Sequence, residues 1–151
     1  MLKKVTSVLA VLLVAGATVI AAEVDLKGVK CVVADKAANP EKSAKYKDGE
    51  VYFCCGGCQG KFAKDAKKYA VKANHQLVAT KQYEQTKCPF SGGKLNPETA
   101  IKLAGTEVTF CCNNCKGKAE GAKDDAARLE LVYNDKAFGK AFQKVAKKES
   151  K

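Results

Sequence analysis

Eight cysteines dominate the chemistry that this 151-residue chain can offer. They fall into two sets of one pattern, Cys-x22-Cys-Cys-x2-Cys: Cys31, Cys54, Cys55 and Cys58, then Cys88, Cys111, Cys112 and Cys115. A deprotonated cysteine is a soft ligand. Four thiolates around one point suit tetrahedral Zn2+, whereas two or three suit Cu+, and the spacing admits both. If a helix begins at the cluster, Cys54 and Cys58 stand at i and i+4, and Cys55 and Cys58 at i and i+3. Those offsets share a helix face, so all three can face one point, with Cys31 arriving from the preceding segment. A helix start also favours negative charge through its free N–H groups and dipole. The residues between the clustered cysteines are Gly56-Gly57 in one set and Asn113-Asn114 in the other. These residue types tolerate left-handed backbone most readily, as a tight knuckle around a ligand needs.

Two other chemistries compete. Eight cysteines in an exported chain are also the composition of a disulfide framework, a structural or interaction protein without metal. Against it, adjacent cysteines such as Cys54-Cys55 rarely pair with each other, and a framework needs no Gly-Gly or Asn-Asn knuckle. Cys55-x-x-Cys58 at a helix start is the spacing of a thiol-disulfide redox protein, but the flanking βαβ pattern is missing. No acid/base dyad, Ser-His-Asp set or phosphate-cradling glycine loop is legible, and no enzyme is expected. The lone histidine, His75, is expected as an exposed residue after the first helix; the second set has no histidine, so a repeated site does not depend on it.

The elements that position these cysteines come in two copies. A shift of 57 residues lays Lys30–Lys61 on Lys87–Lys118 without a gap, with 14 of 32 positions identical, all four cysteines among them. A tandem duplication defines the architecture before any element is assigned. Each copy has an irregular segment with Asn-Pro (Asn39-Pro40, Asn96-Pro97), then a hairpin, then the cluster, then a helix. The first hairpin is expected to turn at Asp48-Gly49 and the second near Ala104-Gly105. Phe62, Ala66, Tyr69, Ala70 and Ala73 lie on one face of a single first helix. The second helix is expected from about Lys116 to Leu129. A terminal helix capped by Asn134 would carry Phe138, Phe142 and Val145 on one stripe, lying across a repeat.

The stretch "GEVYFCCGGCQGKFAKDAKKY" resembles the core of YHS domains, within the wider TRASH group of cysteine-rich modules. Gly49, Tyr52, Phe53, Cys54, Cys58, Phe62 and Tyr69 occupy the matching positions, with Cys31 as the lone cysteine. The second copy matches through its cysteines, Val108 and Phe110. The resemblance implies a small α+β fold of two treble-clef-like units, each a β-hairpin then a helix with a cysteine knuckle, and a link to heavy-metal sensing, trafficking and resistance. Cys55 and Cys112 depart from that pattern, as do Ala119 and Ala126 where the first copy has Phe62 and Tyr69.

The N-terminus reads as a secretory signal peptide over residues 1–22: Lys3 and Lys4, an apolar run of 16 residues, then Ala21-Ala22. The run is short for the roughly 20 residues of a spanning helix, so no transmembrane segment is expected after cleavage. Repeats then occupy 23–79 and 80–133, the second more divergent, with a terminal helix and tail over 134–151. A periplasmic or secreted protein follows, whose partners are metal ions and another metal-handling protein of the envelope. The formal charge is +11, carried by 26 lysines and one arginine, Arg128. Arginine is the favoured residue for base and phosphate recognition, so sequence-specific nucleic-acid binding is not expected. The lysines interleave with acids, as in "KFAKDAKKYAVK", and read as a solvated surface. Units this small bury too little apolar surface to stand without staples, which both the metal and the disulfide readings provide.

Overall fold

The computed structural model describes residues 24–146, so the expected signal peptide and the last five residues lie outside the described residues. The described residues form a small α+β structure with five α-helices and three two-stranded antiparallel sheets. Strands β1 (Asn39–Tyr46) and β2 (Gly49–Phe53) precede helices α1 (Gly56–Lys64) and α2 (Ala70–Ala79). A short linking strand β3 (Tyr83–Gln85) leads to β4 (Asn96–Leu103), β5 (Thr106–Phe110), α3 (Asn113–Glu120) and α4 (Asp125–Tyr133). The chain ends in α5 (Asp135–Ala141) and β6 (Phe142–Lys144). None of the described helices is long and apolar enough to cross a membrane.

The duplication is visible in the strand register. Asn39 pairs with Phe53 and Ala44 with Val51; 57 residues on, Asn96 pairs with Phe110 and Ile101 with Val108. Each hairpin breaks register after its Asn-Pro, where proline supplies no N–H to a ladder. The second turn falls on Ala104-Gly105, both with positive φ (47° and 86°). The first differs from expectation by one residue. Its loop is Lys47-Asp48, with Tyr46 paired to Gly49, and Lys47 takes the left-handed backbone (φ 51°). Gly49 is glycine for another reason: a Cβ there would meet Gln82 Oε1 at 2.7 Å and Leu77 Cδ2 at 2.8 Å.

The expected single helix of the first copy is broken in two. The Asp65 carboxylate accepts the Lys68 N–H at 3.2 Å and starts a short 3-10 turn over Lys67–Tyr69, a local side-chain bond that competes with helix continuation. Phe62, Ala70 and Ala73 are buried regardless. The second copy breaks at Gly121, and Asp124 caps α4 by accepting the Ala127 N–H at 2.7 Å. Asn134 does cap α5, accepting the Ala137 N–H at 3.0 Å. The expected terminal stripe is not wholly helical: the helix stops at Ala141, Phe142 opens β6 against β3, and Val145 is exposed. One apolar core runs through both copies, and its seam is aromatic. Phe138 packs on Phe142 (5.2 Å between ring centroids) and on Tyr83 (5.1 Å), and Tyr133 on Phe142 (5.3 Å).

Candidate metal centre

In each copy a loop and a strand–helix junction bring three sulfurs together. Cys31 opens a loop that folds back on itself, its N–H donating to the Lys36 carbonyl at 2.8 Å. Cys54 follows the last residue of β2, and Cys58 lies in the first turn of α1. The sulfurs of Cys31, Cys54 and Cys58 all lie within 4.8 Å of one another, with 3.6 Å between Cys54 and Cys58. In the second copy Cys88 opens a loop closed by Gly92 N–H to its carbonyl at 2.8 Å, a turn that puts Gly92 at φ 75°. Cys88, Cys111 and Cys115 form the same triad within 4.8 Å, with 3.6 Å between Cys111 and Cys115. The first turns of α1 and α3 contain no acidic residue to compete for their free N–H groups, which favour negative charge nearby.

Three of the four cysteines expected at each site are therefore assembled. Cys55 and Cys112 occupy the N-caps of α1 and α3 and are exposed, with their sulfurs 3.8 Å from Cys54 and 3.6 Å from Cys111. All eight thiols are free, with no two sulfurs at bonding distance. His75 belongs to neither triad. Contrary to expectation it lies within α2, half-buried edge-on against Tyr133 (5.1 Å), because the chain continues helical past the 3-10 turn.

The electrostatics divide the thiols by role. Burial pushes the Cys31 thiol up, but the N–H groups of Ala34, Cys54 and Val33 together outweigh it and hold the thiol below its ordinary value. The Ala34 N–H donates to Cys31 Sγ at 3.4 Å. Burial also pushes Cys88 up, yet the Ser91 hydroxyl and the N–H groups of Ser91, Cys111 and Phe90 bring it down to about 6. Burial first, and then hydrogen bonds to neighbouring sulfurs, raise Cys58 and Cys115 to about 12. The lone cysteine of each triad is thus drawn toward the thiolate and the helix cysteine held toward the thiol. No hydrogen bond closes the Cys55 and Cys112 caps, although the N–H groups of Cys58 and Cys115 draw those thiols down.

Two residues that sequence reasoning passes over shape the second site. Ser91 stands where the first copy has Ala34 under the 57-residue shift, and its hydroxyl lies 3.1 Å from Cys111 Sγ. Phe90 stacks on Phe110 at 5.5 Å, while in the first copy Phe62 packs on the equivalent Phe53 at 5.3 Å. Phe90 supplies from the cysteine loop the aromatic ring that Ala119 withholds from the helix. The substitution of Ala34 by Ser91 is readable in the repeat alignment; the exchange of Phe62 for Phe90 is not, because it moves between elements.

Comparison of the chain with protein families, curated proteins and solved structures finds no match. The donor set itself is three sulfurs close to one another, with no carboxylate or imidazole in either group among the described residues. Such a cluster can take a soft cation in place of the thiol protons.

Proposed function

We propose that this is an exported metal-binding protein that uses its two cysteine triads to hold soft or heavy metal ions, Zn2+ or Cu+, for sequestration, trafficking or structural stabilisation. The observation that carries the reading is the doubled triad, six sulfurs in two groups each within 4.8 Å. A disulfide framework would bring sulfurs together in pairs, whereas here a third sulfur joins each close pair. Three thiolates match Cu+ directly; Zn2+ would take a fourth ligand from Cys55 or Cys112 or from water. The resemblance to YHS and TRASH modules, with two treble-clef-like units over 23–79 and 80–133, points to the same chemistry. The charged N-terminal region and apolar run support export to the periplasm or outside the cell, where another envelope metal-handling protein would supply or receive the ion. The role is one of binding, not catalysis.

Native mass spectrometry with thiol counting tests this on protein made with its export signal. The expected result is two ions per chain and a mature N-terminus just after Ala21 or Ala22. Cys58→Ser should halve the bound metal, and Cys58→Ser with Cys115→Ser should abolish it. All eight cysteines oxidised in freshly purified protein, with no metal taken up after gentle reduction, would defeat the reading.

A further inference from the structure

Two glutamines make the same three hydrogen bonds, one at each triad. Gln76 Nε2 donates to the carbonyls of Lys30 (2.8 Å) and Tyr52 (3.0 Å), and its Oε1 accepts the Tyr52 N–H at 2.6 Å. Gln85 Nε2 donates to the carbonyls of Lys87 (3.0 Å) and Thr109 (2.6 Å), and its Oε1 accepts the Thr109 N–H at 2.9 Å. Lys30 and Lys87 are equivalent under the 57-residue shift, as are Tyr52 and Thr109. Each pair consists of the residue directly before the lone cysteine and the residue two before the cluster.

The glutamines themselves are not equivalent. Gln76 comes from α2, after its hairpin; Gln85 comes from β3, before its own. Beyond Lys61 the shared tails Gln76–Val78 and Glu130–Val132 set Gln76 opposite Glu130, which has no amide N–H on its side chain, and the position 57 before Gln85 is Gly28. Neither can form such a clamp. The contact was therefore not simply copied with the unit but is made twice from unrelated places. Satisfying the free edge of β2 or β5 needs only one donor and one acceptor. The second N–H of each amide goes instead to the segment that carries the lone cysteine.

We propose that Gln76 and Gln85 are positioning residues that set the lone cysteine of each triad at bonding reach of its cluster. The proposal rests on the thiolate-site reading above, and it carries an asymmetry. In the first copy the Val32 N–H also reaches the Tyr52 carbonyl, at 3.4 Å. The second copy has Pro89 there, which has no N–H, so it depends more heavily on its glutamine.

The test replaces each glutamine by methionine, of similar length but without the amide, in the reduced full chain, and reads Cd(II) affinity by chelator competition. Cys115→Ser and Cys58→Ser backgrounds isolate the first and second sites. Gln76→Met should weaken the first site and Gln85→Met the second, by about 10–100-fold as for other outer-shell partners of metal ligands, with the larger loss for Gln85→Met. Gln85→Glu, which keeps the acceptor for Thr109 but loses both N–H donors, should lose at least as much as Gln85→Met. In metal-free protein, iodoacetamide should modify Cys31 faster only in Gln76→Met and Cys88 faster only in Gln85→Met, read cysteine by cysteine by mass spectrometry. Substitutions that lower thermal stability while leaving affinity and alkylation unchanged, or that disturb both sites equally, would overturn the proposal. A wild-type chain that takes up no Cd(II) but shows the alkylation pattern would sink the thiolate-site reading and leave the positioning role standing.

Discussion

The two triads share their sulfurs but not their surroundings, and Ser91 is where they part. Its hydroxyl heads the donors that outweigh burial at Cys88. Ser91→Ala should move that thiol up from about 6 toward its ordinary value, so protons compete better with metal. The pH at which the second site gives up half its metal should rise, while the first site, with Ala34 already in place, should not change. Cadmium–thiolate absorbance followed across pH in a Cys58→Ser background checks this. The same group governs folding without metal. A thiol lowered on folding stabilises the native state fully above its unfolded value of 9.0, and that contribution is lost as pH falls through about 6. Cys58 and Cys115, raised to about 12, act in the opposite sense, favouring the fold below 9.0 and ceasing to do so as pH climbs toward 12. Reduced, metal-free protein should therefore show a urea midpoint that rises between pH 6 and 8.5, and Cys88→Ser should flatten the rise.

At the scale of elements, the hairpins are held by contacts as much as by their turns. Gly49→Ala would drive a methyl into Gln82 and Leu77, an overpacking that costs typically about 1–3 kcal/mol. The equivalent position in the second copy, Thr106, already carries a side chain and bonds Tyr133 at 2.8 Å. Chemical denaturation of Gly49→Ala should show the loss and no change in the second site's metal affinity. The hairpins, clusters and helix starts are legible in the chain because Asn-Pro, alternation and cysteine spacing all repeat at one offset. The helix breaks are not. An apolar period that runs from Phe62 through Ala73 does not reveal that the Asp65 carboxylate bonds Lys68, since the buried positions remain in phase across the interruption. Strands β3 and β6 are equally hidden: each has three residues, too few for a period, and they find each other only when Tyr83 meets Lys144. Sequence groups four cysteines at each site and does not separate the three whose sulfurs converge from Cys55 and Cys112, which share their type and neighbourhood but sit exposed at an extended N-cap.

In the whole molecule the copies are joined to each other and to the tail that follows them. Phe138 and Phe142 lie against Tyr83 of the linker and Tyr133 of the second copy, and Asn74 of the first copy donates to the Tyr133 carbonyl at 2.9 Å and to Asp135 at 3.0 Å. Phe138→Ala should remove about 3–5 kcal/mol, the usual loss for a buried phenylalanine. Because the seam is shared, both copies should melt earlier in a single transition, not one before the other. Calorimetry with separate metal readouts for the two sites distinguishes these outcomes. The pairing of β3 with β6 also limits how the molecule can grow. Arrays of repeats lengthen because each unit leaves a face ready for the next. Here the linker between the units pairs with the strand that follows the second, and Phe138 and Phe142 pack on the two tyrosines of the seam. A unit stacked on that edge would have to displace β6 and uncover both rings. The strand that ties the two metal sites into one body is therefore also the strand that an enlarging array would have to give up.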